Sequence, residues 1–442
     1  MAENPPAREL QGPHGDYYNA DIVVELHHLG LVKALLDERE HRVPTQVVDR
    51  SDLLGLALLR LTDEGHAGEK SIEEHAADTI IGLLADKGEA DRPDRDLDRF
   101  LRGLRAYFAE HYAGWTPTIG KNRLLGSVIG GGKISHGGGH EPVLADEPRD
   151  LADRSDEPGR GVRVGVLDTR VAHHPWTQGG WIARSQDVLA ADGALRAVAG
   201  HATFVTGLVL RQAPGCVVEV RSVLSDENGR ADAWSVAKGI VELGRSRPDV
   251  LNLSLFCRTD DDLPSLLLAT AVERLDRDTM VVAAAGNHGR EREADGTSRP
   301  TWPAALPHVI AVGSARSDKE PADTTPQRVP WVDVHSTGED VVSTFLIGDV
   351  MPSLPEDEWR TGRYDEGTSH FDGFARWSGS SFAAAKVTGA IAARTIPGRV
   401  SARAAWASLL PAHVAGLPES RDPLTPFFLP LEGFEPPRQK GG

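Results

Sequence analysis

The sequence predicts an α/β protein in two parts: a parallel sheet flanked by helices and, ahead of it, a smaller mixed α/β N-terminal domain. Three observations lead there. Beyond residue 160, apolar runs rich in β-branched residues alternate with stretches of helical periodicity, the pattern of a parallel sheet covered on both faces. Between Trp115 and Arg160 the composition shifts to glycine, proline and charge, as in an extended connector. At 442 residues the chain also exceeds the roughly 250–300 at which single cores stop growing.

After a polar, proline-containing start over residues 1–20, the smaller domain is expected at residues 21–114. It opens on the apolar stretch Ile22–Leu26, then shows helical spacing on Leu31, Leu35 and Leu36 and a β-branched, later Leu-rich segment over Gln46–Leu61. Two more helical patterns follow, one on Ile72, Ala76, Ile80, Leu83 and Leu84, the other on Leu97, Phe100, Leu101, Leu104, Tyr107 and Phe108. The connector covers residues 115–160. In the larger domain, residues 161–416, strands are expected at Val162–Leu167, Val217–Val223, Val250–Leu255, Met280–Ala285 and Val309–Val312, and helices at Ala233–Leu243 and Leu266–Leu275. Residues 417–442, rich in proline, read as a loosely held tail.

Composition narrows the function. Acidic residues outnumber basic ones by 65 to 48, for a net charge of -17, and no basic stretch interleaved with aromatics could track a phosphate backbone, so no nucleic acid is expected as a partner. No run of about 18 apolar residues could span a bilayer, and the first residues lack a positive leader before an apolar core, so neither a membrane partner nor secretion is expected. Cys216 and Cys257 are few cysteines for an extracellular protein of this size, which points to a reducing, cytoplasmic location. The histidine pairs His136/His140 and His173/His174 have no further ligand pattern and read as solvated loop residues. Gly130-Gly131-Gly132-Lys133 imitates a phosphate loop, but Ser127 and Ile134 break its pattern. No metal and no cofactor are expected.

Four segments can carry chemistry. Asp168 follows the run Val162–Leu167 and so stands where a strand ends at its carboxyl edge, the place at which α/β sheets build sites. Gly200-His201-Ala202-Thr203-Phe204-Val205-Thr206-Gly207 puts a histidine at the start of a small apolar helix. Trp377-Ser378-Gly379-Ser380-Ser381-Phe382-Ala383-Ala384-Ala385-Lys386-Val387-Thr388-Gly389 is a serine-rich turn entering a helix of small residues. A serine in that first turn exposes its hydroxyl, and its N–H points outward where the helix dipole favours a developing anion. Val281 to Gly289 sends a buried strand into a tight turn with Asn287 at its tip, an amide able to donate to an oxyanion. Taken singly, each segment has a commonplace explanation as a cap, a turn or a core residue.

Together and in this order the four resemble the subtilisin-like serine proteases, or subtilases. That family's motifs are a strand ending in Asp-Thr-Gly, a Gly-His-Gly-Thr-His helix, an Ala-Gly-Asn turn and a Gly-Thr-Ser-Met-Ala helix. The resemblance extends over about residues 161–400. It includes Leu251-Asn252-Leu253-Ser254-Leu255, similar to the family's substrate-binding strand, and the stretch from Trp302-Pro303-Ala304 to Gly313, similar to its Tyr-Pro-Ala stretch. It implies a subtilisin-like sheet and a serine endopeptidase acting on protein or peptide substrates. Carried over residue by residue, it implies Ser381 as nucleophile, selected over Ser378 and Ser380 by the Gly-x-Ser-x-Ala register, His201 as general base, and Asp168 as the group that orients it. Asn287 and the Ser381 N–H would hold the oxyanion. Substrate would lie along Ser254, Leu255 and Phe256, and against Ala284, Ala285 and Gly286.

The departures are Arg170 where glycine is usual, Ala202 and Phe204 for the glycine and second histidine, and Ala385-Lys386 for Pro-His. None removes a triad group; the alternative they leave is a catalytically weak subtilase-like scaffold that binds peptides. Three further expectations come with the resemblance. No strong calcium site is expected, because Leu208–Val217 lacks the Asn-rich insertion that carries the ligands in many subtilases. The N-terminal domain is expected to lie over the cleft within the same molecule, where many subtilases have a prodomain. Phe256, in place of a glycine, is expected to narrow the specificity pocket.

Overall fold

The computed structural model describes residues 9–10, 16–38, 42–62, 70–88, 94–127, 141–148, 158–190, 195–259, 262–291, 296, 298–353, 367–410 and 427–431. The chain divides into two compact units, the first formed by Met1–Leu124 with Asp232–Lys238 and Ser265–Arg274, the second by the remainder.

The first unit contains β1 (Glu9–Leu10), β2 (Tyr17–Glu25), α1 (Leu26–Leu36), β3 (Thr45–Ser51), β4 (Leu56–Leu61), α2 (Ile72–Gly82), α3 (Asp96–His111) and most of β5 (Ile119–Ser127). Its strands pair antiparallel in the order β5-β2-β4-β3, with β1 beside β2. Helix α3 buries Leu97, Phe100, Leu101, Leu104 and Phe108, spaced by three and four, and these meet Ile22, Val24 and Leu59 of the sheet in one core. Ser71 caps α2 by accepting from the Glu74 N–H at 3.1 Å. Asp49 accepts from Trp234 Nε1 at 2.9 Å and from Lys238 Nζ at 2.7 Å, which ties the segment 232–238 into this unit.

In chain order there follow β6 (Val143–Leu144), β7 (Arg163–Asp168), β8 (Trp181–Ile182), β9 (Leu195–Arg196), α4 (His201–Gln212), β10 (Val217–Ser222), β11 (Arg230–Asp232), α5 (Ala233–Gly244), β12 (Val250–Leu253) and β13 (Leu255–Phe256). After these come α6 (Leu266–Glu273), β14 (Met280–Ala284), β15 (Val309–Ala315), β16 (Val334–Thr337), β17 (Val341–Met351), β18 (Ser369–Trp377), α7 (Ser380–Arg394), α8 (Ala402–Leu409) and β19 (Phe427–Phe428). Helix α6 and the start of α5 belong to the first unit.

The second unit is built on eight parallel strands in the order β19-β16-β15-β14-β12-β7-β10-β8. Strand β10 lies on one side of β7, and β12, β14 and β15 on the other. The connections therefore reverse at β7, and an open sheet forms its crevice at such a point, beyond the carboxyl ends of the strands. Val164, Val166, Val218, Val250, Val282 and Ile310 are fully or nearly fully buried, as strands covered on both faces require. Helices α4 and α7 cross closely at small residues: a Cβ on Gly389 would lie 2.8 Å from the Val209 carbonyl oxygen and 2.7 Å from Gln212 Cβ. A smaller sheet, β6-β18-β17-β9, is antiparallel except for the β17–β9 pair.

The strands expected at Val162–Leu167, Val217–Val223, Met280–Ala285 and Val309–Val312 are β7, β10, β14 and β15. Val250–Leu255 instead divides into β12 and β13, because Ser254 leaves the parallel ladder and the chain turns to pair elsewhere. The β17–β18 hairpin was not anticipated; its strand ends are interrupted by Gly348, Asp349 and Gly373, which hide the alternation. Within the stretch read as a tail, Phe427–Phe428 forms the edge strand β19, and Leu429 and Leu431 are buried beside it. The glycine clusters of the connector, His136, His140 and most of the tail lie outside the described residues. No described helix is long and apolar enough to cross a membrane.

Two buried histidines make this unit sensitive to acid. His335 on β16 and His288 in the turn after β14 are each pushed down to about 4 by burial. A histidine whose folded value lies below its unfolded one contributes stability above about pH 6.5 that is lost as the pH falls toward 4. We expect a loss of roughly 2 kcal/mol per histidine between pH 7 and pH 5. Denaturant midpoints at the two pH values measure it, and His335→Leu should reduce the difference by about half.

Candidate active site

Strand β7 ends on Asp168, whose side chain is 0% exposed. Its main-chain carbonyl accepts from the N–H groups of Val223 at 2.9 Å and Leu224 at 3.0 Å, so the carboxylate leaves the sheet on a fixed backbone. Asp168 Oδ1 accepts from the Thr169 N–H at 2.7 Å and from His201 Nδ1 at 2.7 Å. Thr169 then staples the start of α4: its Oγ1 accepts from the Ala202 N–H at 3.1 Å and donates to the Ala199 carbonyl at 3.4 Å. His201 is thus held through its ring and through its helix. With Nδ1 donating, Nε2 carries the lone pair, and it has no hydrogen-bond partner among the described residues.

Aromatic rings enclose this histidine. The ring centroid of Trp377 lies 5.9 Å from that of His201 and the ring of Phe382 at 5.6 Å; Phe204 backs Phe382 at 4.4 Å. Gly200 is required here, since a Cβ on it would meet the Phe345 ring at 2.2 Å. Arg170 pairs with Asp226 at 2.7 Å and its N–H donates to the same carboxylate at 3.0 Å, so the residue at the usual glycine position fastens the loop after Asp168. Burial pushes the Asp226 carboxyl up, against the pull of that guanidinium.

Helix α7 begins at Ser380 and points its first turn at the Gly286-Asn287 turn. The two are clamped reciprocally: the Ser380 N–H donates to Asn287 Oδ1 at 3.0 Å, and the Gly286 N–H donates to Ser380 Oγ at 3.1 Å. Asn287 Oδ1 is the accepting end of this bond, so the side chain's donor is its amide NH2. Ser381 is tied to the neighbouring strand, its Oγ donating to the Ser254 carbonyl at 3.4 Å while Ser254 Oγ donates to the Ser381 carbonyl at 3.2 Å. Asn252 and Thr388 complete the buried chain, at 2.9 Å to Ser254 Oγ and 3.0 Å from Thr388 Oγ1 to Asn252 Oδ1.

The structure therefore joins Asp168 directly to His201, and joins Ser381 to Ser254 and, through Ser380, to Asn287. The two halves meet at Phe382, the residue after Ser381, beside the His201 ring. Ser381 and His201 make no hydrogen bond to each other. Beyond the register pair Leu253 and Ala283, the pairing of β12 with β14 ends: β13 pairs antiparallel with the end of β5, Leu255 opposite Ser127 and Phe256 opposite Gly126, while the chain leaves β14 after Ala284 through Ala285 and Gly286. Phe256 is buried in a cluster that includes Ala284.

Sequence reasoning missed several contributors. Thr169 and Ser380 hold the site through main-chain partners, and Asn252 and Thr388 through side-chain bonds to Ser254 and to each other; none of these roles was assigned from the sequence. His174 is a correction: it is buried, with Nε2 donating to the Gly373 carbonyl at 2.8 Å and Nδ1 accepting from the Trp176 N–H at 3.2 Å, because both ring nitrogens find main-chain partners and the ring packs edge-on against Phe374 at 5.0 Å. Its partner in sequence, His173, is exposed as expected. Among the described residues, no group of three or more His, Cys, Asp or Glu side chains is gathered as a metal ion would need.

Comparison with known proteins gives the chain its relatives. Residues 159–396 match the model of the family described as the Subtilase family. Subtilisin BL from Lederbergia lenta is 30% identical over 197 residues, covering 42% of this chain and 67% of that protein. The thermophilic serine proteinase of Bacillus sp. (strain AK1) is 29% identical over 197 residues, 42% of this chain and 46% of the proteinase, so the chain spans about half the length of that relative. Among solved structures, fervidolysin from Fervidobacterium pennivorans, a keratinolytic enzyme related to subtilisin, shares the fold with a TM-score of 0.52 and 17% identity over 89% of this chain and 58% of the other. More than half of the residues fall within the family match, and the chain belongs to the subtilase family.

Proposed function

We propose that this protein is a serine endopeptidase in which Ser381 is the nucleophile, His201 the general base, Asp168 its orienting partner, and Asn287 with the Ser381 N–H the oxyanion hole. The observation that carries the reading is the 2.7 Å bond from His201 Nδ1 to Asp168 Oδ1, which reserves Nε2 as a proton acceptor. In the first step Ser381 Oγ exchanges its long contact with the Ser254 carbonyl for Nε2, gives up its proton there and bonds to the scissile carbonyl carbon. The electron pair displaced onto the carbonyl oxygen is held by the Asn287 amide and the Ser381 N–H at the positive end of α7. Collapse breaks the C–N bond, and the Nε2 proton leaves with the amine. A water molecule then repeats the sequence on the acyl-enzyme and returns the proton to Ser381 Oγ.

The contact of Ser381 Oγ with Ser254 rather than with His201 also favours a second reading, a catalytically weak scaffold that binds peptides. A fluorophosphonate probe separates the two. We expect the full chain to be labelled, and Ser381→Ala and His201→Ala to be unlabelled; an unlabelled native protein would leave the binding reading. Asn287→Ala should keep KM close to its native value and lower kcat by on the order of 100- to 1,000-fold, a magnitude taken from loss of the corresponding oxyanion-hole donor in subtilisin itself.

We further propose that the N-terminal unit acts on the cleft in the same molecule. Support comes from the segment that follows that unit in the chain: Gly126 and Ser127, within the second unit, pair with Phe256 and Leu255 along β13 as an extended peptide would. A chain of residues 141–442 expressed alone should yield little active enzyme, and residues 1–127 added during refolding should restore it; equal activity with and without them would refute the role. We also place the enzyme inside the cell, where Cys216 and Cys257, both buried and unbridged, remain thiols.

A further inference from the structure

We infer that the crevice beside β13 selects serine or threonine immediately before the scissile bond, with His288 Nδ1 accepting the substrate hydroxyl and Phe256 excluding longer side chains. The inference rests on the endopeptidase reading and adds the substrate class to it.

The crevice is inferred from topology. Strands β12 and β14 are hydrogen-bonded neighbours as far as Leu253 and Ala283, where their pairing ends and the chain continues into β13 on one side and Ala285-Gly286 on the other. Ser381 Oγ rests on the Ser254 carbonyl at the mouth of this gap. Strand β13 already accepts an antiparallel chain, with Leu255 opposite Ser127 and Phe256 opposite Gly126. A substrate paired in the same sense brings the residue opposite Ser254 nearest the nucleophile, and that residue's side chain enters the gap.

Two side chains define what fits. Phe256 is 2% exposed, shares a cluster with Ala284 and has its ring centroid 6.0 Å from that of His288, so it fills the depth of the crevice. His288 is also 2% exposed. Its Nε2 lies 3.0 Å from the Arg299 carbonyl oxygen and must donate to it, which leaves Nδ1 as an acceptor; Nδ1 has no hydrogen-bond partner. That atom faces the Gly286 wall: a Cβ built on Gly286, at φ +95°, would lie 2.8 Å from Nδ1 and 3.4 Å from Thr301 Cγ2. The wall therefore offers one acceptor beside one methyl group. Burial, helped by the positive charge of Arg258, holds the imidazole neutral, so the acceptor persists across the physiological range.

A buried acceptor left unmet is costly, and a site built around one discriminates strongly against an analogue that lacks the donor. Serine and threonine bring a hydroxyl on a short stem. Alanine and valine match them in size and bring none. A lysine ammonium is a donor, but its stem is too long for a crevice floored by Phe256 and its charge opposes Arg258.

The test is the ratio of kcat/KM for peptides matched except for Thr or Val, and Ser or Ala, before the scissile bond, assayed on the full chain. We expect Thr over Val by about tenfold or more in the native enzyme, falling toward unity in His288→Leu. Phe256→Gly should admit Phe at this position while retaining the Thr preference. A native Thr/Val ratio of one or less overturns the inference whether or not the variants fold. Binding of the same peptides to Ser381→Ala separates the two levels of the argument. With peptide at millimolar concentration, so that it competes with Gly126–Ser127 for the edge of β13, Thr-selective binding without hydrolysis by the native chain sustains the pocket and refutes the peptidase; hydrolysis without selectivity does the reverse; neither binding nor hydrolysis refutes both.

Discussion

A helix can pass through the middle of a core only if its side chains are small, and this constraint on α7 governs the site. From Ser380 to Ala392 every residue of the helix is buried, and Ala383, Ala384, Ala385, Gly389 and Ala390 let it lie against α4 and the sheet together. Its first N–H groups emerge in a place shielded from water, where unmet donors are costly. Asn287 meets one of them, and Ser380 and Ser381 return bonds to the turn and to Ser254. The packing that buries the helix thus aims its positive end at the point where negative charge would develop in acyl transfer. The same helix reaches back through Thr388 and Asn252 to the strand on which a peptide would pair.

The residues that depart from the family pattern form a coherent set. Phe204 and Phe382 pack on each other and, with Trp377, wall His201 in apolar rings; Phe345 extends this set to Phe371 of β18. An imidazole in such surroundings is positioned by shape as well as by Asp168. Arg170 belongs to the same economy of fixing: with Asp226 it closes by an ion pair a turn that glycine would otherwise leave to backbone geometry.

Much of this was legible in the sequence, for definite reasons. Strands such as Val162–Leu167 and Met280–Ala285 are continuous apolar runs because both faces are covered, and α3 shows its buried face in the spacing of Leu97, Phe100, Leu101, Leu104 and Phe108. The candidate site residues were found because a subtilase scatters them at the ends of such runs in a fixed order. The rest depended on contacts between residues distant in the chain. Nothing in the segment Leu251–Leu255 marks where it leaves the parallel ladder, since the partner that draws it away, Gly126–Ser127, lies more than a hundred positions earlier. His174 looked solvated because its neighbours His173 and Pro175 are loop-like, and its partner Gly373 arrives on a hairpin whose interrupted strands gave no alternation to read. Phe427–Phe428 is too short and too surrounded by proline to announce a strand.

The pairing of Gly126–Ser127 with Leu255–Phe256 has a consequence in concentration. A segment covalently joined to the edge it occupies competes as an intramolecular ligand, at an effective concentration in the millimolar range for a short tether. A free peptide making the same main-chain bonds at micromolar concentration is outnumbered by roughly a thousandfold. Holding the edge in this way needs no tight inhibitor and no distortion of Asp168, His201 or Ser381; it needs only that the occupant stay covalently attached.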